Sequence, residues 1–300
     1  MTGFTGSDVP DQDGRTFIVT GANTGIGFAA AQILARKGAR VLLACRDAGK
    51  AAEAIGRIEP GVDVAHLPLD LADLASVRAA AQLAGQEERL DGLINNAGVM
   101  FPPLTRTAQG FELQWGVNHL GGFALTALLL PKLAETPGSR VVVTSSLAHQ
   151  RGDIQWSDLN AERSYKRTQR YSDSKLANML HFFELDRRLR AAGSPVTAIG
   201  CHPGVAATDL MRHSGVFQVF TALFGLFLNS AEMGAWPALQ AATDSTAAGG
   251  DYYGPKGLGE ARGKSGKASR TRAATDPVLA RRLWEVSVEM TGIDPGLAPA

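Results

Sequence analysis

Tyr171 and Lys175 stand four positions apart. On a helix that spacing puts a phenol and an ammonium on one face. Such a pair can deliver a proton to an oxygen atom. A phenol has an ordinary pKa of about 10, and bringing it to ~7 requires a preference of about 4 kcal/mol for the phenolate. One ammonium at ~4 Å, with an effective dielectric of ~20, supplies about that amount. The Tyr-x-x-x-Lys spacing is common by chance and gains meaning only from its surroundings. Ser146, at the end of a Thr-Ser-Ser stretch, could donate a hydrogen bond to the same oxygen. Ser145 competes for that role, and spacing does not separate the two.

A second group of residues suits phosphate. Thr20-Gly21-Ala22-Asn23-Thr24-Gly25-Ile26-Gly27 follows an apolar run and opens an amphipathic stretch. Gly21 allows a tight turn, Gly25 lets backbone approach a pyrophosphate, and Gly27 permits close helix–strand packing. A helix start there presents free N–H groups to anions. The spacing is GxxxGxG, not the commoner GxGxxG. After the second apolar run the chain reads Leu43-Ala44-Cys45-Arg46-Asp47. NAD binders usually place an acid at the position of Cys45. Arg46 could instead fork onto the 2′-phosphate of NADP. One charge-assisted bond of ~1.5–3 kcal/mol would favour NADP(H) about 10- to 100-fold. In the competing reading Arg46 is solvated and Asp47 caps the next helix.

These groups need a scaffold. Strand-length apolar runs occur at 16–20, 40–44, 62–68, 92–95, 140–144 and 196–201, without the polar alternation of a half-exposed strand. Helical stretches lie between them at 28–37, 50–58, 74–86, 111–133 and 171–192. A late strand near 250–253 precedes a final helix near 277–291. The alternation predicts a single-domain Rossmann-type α/β fold: a doubly wound parallel sheet with helices on both faces. Residues 1–15 read as a flexible N-terminus and 16–300 as one NADP-binding catalytic domain. The polar stretch 257–275 reads as a long surface loop.

Composition is that of a globular protein, with 300 residues, 45% hydrophobic and 20% charged. The formal net charge of +1 gives no global pull toward nucleic acid. Cys45 and Cys201 lack a CxxC spacing and read as buried thiols. The histidines form no HExxH pattern, so no metal site is expected; His149 and His202 near the cleft read as structural. The polar N-terminus lacks the apolar core of a signal peptide, and no apolar run reaches transmembrane length. The expectation is a cytoplasmic protein.

Together the motifs resemble the short-chain dehydrogenase/reductase superfamily. They run Thr20–Gly27, Asp70-Leu71, Asn95-Asn96-Ala97-Gly98, Asn118, Ser145-Ser146, Tyr171–Lys175 and Pro203-Gly204. The phrases GANTGIG, LACRD, VNHLGGF, SSLAH and SKLAN are similar to the retinol dehydrogenase and protochlorophyllide reductase branch, as is the Ser146-to-Tyr171 gap. Gly122 departs from relatives that often carry histidine. The resemblance implies that Asp70 and Leu71 lie near an adenine and that Asn95, Ala97 and Gly98 line the cofactor. It implies that Asn118 completes a tetrad with Ser146, Tyr171 and Lys175 and holds a proton-relay water. It also implies that Pro203, Gly204 and Thr208 flank the nicotinamide.

The substrate side is apolar. Asp209–Leu228 carries Met211, Val216, Phe217, Phe220, Leu223, Phe224 and Phe227. It reads as a lid over a small hydrophobic or aromatic substrate, with a packed helix pair or a membrane-contacting surface as the alternatives. Gln150–Arg170 could form part of the rim. The leading expectation is an NADPH-dependent carbonyl reductase. The alternatives are a quinone or conjugated-ring reductase of bacterial secondary metabolism, suggested by composition, and a non-catalytic NADP-binding regulator. The helices after Phe111 and Tyr171 could pair two subunits as a homodimer, unless the insertion at 150–170 blocks that surface.

Overall fold

A computed structural model describes residues 3–205 and 229–299. The expected lid at 209–228 and the site residue Thr208 lie outside the described residues. The strands are β1 (Thr16–Thr20), β2 (Arg40–Cys45), β3 (Val64–Pro68), β4 (Gly92–Asn95), β5 (Arg140–Thr144), β6 (Thr197–Cys201), β7 (Tyr252–Gly257) and β8 (Arg262–Lys267). They form one sheet in the order β3-β2-β1-β4-β5-β6-β7-β8. Pairing is parallel throughout except for β8, which runs antiparallel to β7. The described helices are α1 (Gly25–Arg36), α2 (Ala48–Gly56), α3 (Leu74–Ala84), α4 (Leu113–Trp115), α5 (Gly121–Ala134), α6 (Arg167–Ala191), α7 (Ala231–Thr243) and α8 (Pro277–Thr291).

The central strands are apolar on both sides because both sides are covered. On β1, Phe17 and Val19 enter one core while Ile18 enters the other. Helices α1 and α7 pack over the first core, and α3, α5, α6 and α8 close the second. The order reverses at β1, which has β2 on one side and β4 on the other. A crevice forms at the carboxyl ends of strands around such a reversal.

Several expectations need correction. Residues 3–15 are not a flexible arm: Phe4 and Ser265 exchange backbone hydrogen bonds at 2.9 Å, and Gln12 is fully buried. The expected surface loop at 257–275 contains β8, which extends the sheet beyond β7. Its Gly/Lys/Ser sequence hides it, since backbone pairing and not apolar burial holds this edge strand. The helix expected across 111–133 is broken by a π-helical segment, Gly116–Leu120, which carries Asn118. Helix α8 packs against α6. Trp284 of α8 is buried there, edge-on to Phe123 at 5.4 Å between ring centroids, with Arg188 4.4 Å above its ring. Among the described residues, no helix is long and apolar enough to cross a membrane.

Candidate active site

The turn after β1 is held by side chains from β4's end. Thr20 Oγ1 accepts from the backbone N–H groups of Asn96 and Ala97 at 3.0 and 2.9 Å. The Asn96 amide donates to the Thr20 carbonyl at 2.9 Å. Gly25 starts α1 at a φ of 58°, a conformation that glycine adopts without strain. A β-carbon on Gly27 would lie 2.5 Å from both Asn96 Nδ2 and Gly21 O. Helix α1 can therefore approach the strand ends only through glycine, and its N-terminal N–H groups face the crevice.

That crevice is a cavity of about 830 Å³. Gly21, Asn23, Thr24, Gly25, Ile26 and Gly27 line one end. Ala97, Gly98, Ser146, Tyr171, Lys175, Pro203 and Gly204 line the rest, among the residues expected from sequence. Gln150, Arg151 and Gln169, from the segment offered as part of the rim, also line it, as do Asn96, Met100, Phe101 and Thr144, which were not singled out. Asn96 had a signal, being the second Asn of its motif, but nothing in the sequence separates it from Asn95.

Five expected residues stand away from the lining. Asn95 turns its amide to Thr126 Oγ1 at 2.8 Å, under α5. Leu71 is buried in the core. Asn118 is clamped to the backbone of Val99, accepting from its N–H at 2.7 Å and donating to its carbonyl at 3.0 Å. It also donates to Ser174 Oγ at 3.0 Å. Both amide hydrogens of Asn118 are thereby used within the protein. Arg46 is 77% exposed and lies 3.8 Å from the Asp70 carboxylate. Asp70 also accepts from the Ala72 N–H, and Asp47 caps α2 through the Lys50 N–H, as the competing reading of that stretch held.

The two serines separate. Ser145 Oγ donates to the Lys175 carbonyl at 2.8 Å and is buried against α6. Ser146 accepts from the Ala148 N–H at 3.2 Å and lines the cavity beside Tyr171, whose phenol it pulls downward. The Lys175 ammonium donates to the Thr144 carbonyl at 3.3 Å and lies 5.7 Å from the centre of the Tyr171 ring.

Burial dominates the protonation of both groups. It pushes the Tyr171 phenol up to about 12, against the pull of Ser146. It pushes Lys175 down to about 8, against the influence of Cys201. The upward shift of Tyr171 comes from burial, opposed by Ser146, whereas the sequence led to the expectation that the Lys175 ammonium lowers it. His149 and His202, which the sequence led us to read as structural, are each tied to nearby backbone: His149 Nδ1 meets the Ser146 carbonyl at 2.6 Å, and His202 Nδ1 accepts from the Gly204 N–H at 3.2 Å. No group of metal-ligating side chains occurs among the described residues.

The family model described as short chain dehydrogenase matches residues 15–216. Human retinol dehydrogenase 14 is 42% identical over 311 residues, covering 96% of this chain and 89% of its own length. Human retinol dehydrogenase 13 is 44% identical over 295 residues, covering 94% and 86%. A crystal structure of an uncharacterised protein from Mycobacterium paratuberculosis superposes with a TM-score of 0.84 at 40% identity, covering 99% of this chain and all of that one. The Pseudomonas aeruginosa RhlG/NADP active-site complex superposes with a TM-score of 0.64 at 27% identity, covering 80% and 94%.

Proposed function

The chain belongs to the short-chain dehydrogenase/reductase superfamily, in its retinol dehydrogenase-like branch, and we propose that it is an NADP(H)-dependent reductase of carbonyl groups on bulky apolar or aromatic molecules. One observation carries this reading. Tyr171, Lys175 and Ser146 meet on a single cavity that runs to a glycine turn and an open helix N-terminus.

The turn fits a dinucleotide, since Gly27 lets α1 approach where any β-carbon would collide. Gly21 to Gly27 would hold the pyrophosphate through backbone N–H groups. Pro203, Gly204 and Thr208 would flank the nicotinamide. When bound, that cofactor supplies a hydride. Arg46 supports NADP over NAD, because a 2′-phosphate could replace its exposed contact with Asp70. The NADP bound in the Pseudomonas aeruginosa relative points the same way.

The protein's own task is the proton. A carbonyl oxygen between Ser146 and Tyr171 would accept hydrogen bonds from both hydroxyls. A phenol pushed up to about 12 stays protonated at neutral pH, so it is equipped to donate. As the proton leaves, negative charge grows on Tyr171. Lys175, still protonated below about 8, is placed to stabilise that charge in a water-poor site. Asn118 holds the loop at Val99 and so fixes one wall of the site.

The test is NADPH and NADH oxidation over a panel of ketones, aldehydes and quinones. Turnover of apolar ketones or aldehydes with NADPH preferred supports the proposal. NADPH binding without turnover of any panel member would instead support a cofactor-binding regulator.

A further inference from the structure

Phe101 has a backbone φ of 58°, in the left-handed region that strains any side chain and an aromatic one in particular. The surroundings impose this conformation. The Phe101 N–H donates to Gln114 Oε1 at 2.9 Å. Gln114 is wholly buried, and its amide nitrogen donates to the Arg167 carbonyl at 3.0 Å. The Tyr165 hydroxyl donates to the Pro102 carbonyl at 2.8 Å. The loop is thus pinned from both α4 and Tyr165, just before α6.

None of these bonds uses the Phe101 side chain. Glycine would make them all with less strain. What the strained residue contributes is its ring, which lines the cavity. The ring centroid lies 5.4 Å from that of Tyr171, with the two planes at 76°. Met100 and Leu147 add to the apolar lining. Persistent strain at a cavity wall, against a residue assigned to proton delivery, is the pattern of a site shaped for its ligand.

We propose that Phe101 is a specificity-determining residue. Its ring is the wall on which a flat, conjugated or aromatic ketone or aldehyde packs while its oxygen reaches Tyr171. Aromatic pairing adds directional preference to apolar burial, so planar substrates gain over saturated ones of equal size. This inference rests on the carbonyl-reductase reading above.

The experiment compares wild type, Phe101→Gly, Phe101→Leu and Phe101→Tyr with NADPH. The substrates are a flat conjugated ketone, benzylideneacetone, and a saturated one, 2-nonanone. Phe101→Gly and Phe101→Leu are expected to lower the ratio of kcat/KM, flat over saturated, by about tenfold through KM for the flat ketone. Phe101→Tyr restores the ratio. The Tm of Phe101→Gly stays within about 2 °C of wild type, because relieved strain offsets the lost contact. Equal losses on both ketones, or a large fall in Tm with the ratio intact, would overturn the proposal and leave Phe101 a structural plug. Calorimetric binding of benzylideneacetone, measured in the presence of NADP in Tyr171→Phe with and without Phe101→Gly, reads the wall without turnover. About tenfold weakening upholds it even if the reductase reading fails. Unchanged binding refutes it even if the reductase reading stands.

Discussion

The Lys175 ammonium donates to the Thr144 carbonyl, 3.3 Å away at the end of β5. This bond ties the lysine to the sheet, so its charge stays at the cavity while burial drives its pKa down to about 8. The charge therefore vanishes within an accessible pH range. Tyr171, pushed up to about 12, remains protonated across that range. The rate of reduction is expected to hold below about pH 8 and to fall above it with unit slope as Lys175 deprotonates. Residual activity in Lys175→Arg should lack that alkaline limb. A wild-type profile flat to about pH 10 would contradict this assignment.

Arg46 and Asp70 give a test of cofactor choice. With 77% of its side chain exposed and a contact of 3.8 Å, Arg46 loses little by exchanging the carboxylate for a phosphate. Arg46→Ala should raise KM for NADPH about 10- to 100-fold while changing KM for NADH less than about threefold. Equal changes for the two cofactors would remove the 2′-phosphate role.

Gly27 gives a test of the turn. A β-carbon there would meet Asn96 Nδ2 and Gly21 O at 2.5 Å, far inside contact. Gly27→Ala should cost about 1–3 kcal/mol in urea unfolding and weaken NADPH binding, measured by fluorescence titration. Normal stability together with normal affinity would show that the close approach is not needed.

Behind the site, His119 and His181 are buried beside each other, with ring centroids 5.9 Å apart. Burial holds His181 down at about 4 and His119 well below its ordinary value. An unfolded chain takes up these protons near pH 6.5 while the folded chain refuses them. Their contribution to stability is therefore present above about 6.5 and is lost as pH falls through about 4. The slope is ~1.4 kcal/mol per pH unit for each histidine. Asp173 acts oppositely, since burial raises it to about 6 and its contribution is lost as pH rises through that value. His181→Phe, which keeps an aromatic ring against Phe123 and Trp284, should flatten the fall in urea midpoint between pH 7 and 4.5. An unchanged slope would show that His181 takes up no extra proton on unfolding.

The parallel sheet was legible because strands buried on both faces leave uninterrupted apolar runs, as in Phe17-Ile18-Val19. The glycine turn and the Tyr171–Lys175 pair were legible because backbone approach and helical spacing restrict residue type. Strand β8 was hidden, since an edge held by backbone pairing leaves no apolar pattern in Arg262–Lys267. The break at Gly116–Leu120 was hidden too, because a π segment keeps helical composition. Neighbouring residues of one type were the hardest. Asn95 faces α5 while Asn96 faces the turn, and Ser145 faces α6 while Ser146 meets Tyr171. Only the strand-end geometry decides between members of such pairs. Phe101 gave no signal, because its strain arises from contacts with Gln114 that are distant in the chain.

The central claim is that Tyr171 delivers the proton to a carbonyl oxygen. The direct measurement is kcat for NADPH-dependent reduction of an apolar ketone by Tyr171→Phe, with NADPH affinity measured on the same preparation. The account predicts a loss of at least ~100-fold in kcat, with NADPH affinity within about threefold of wild type. A variant that reduces the ketone at the wild-type rate would contradict it.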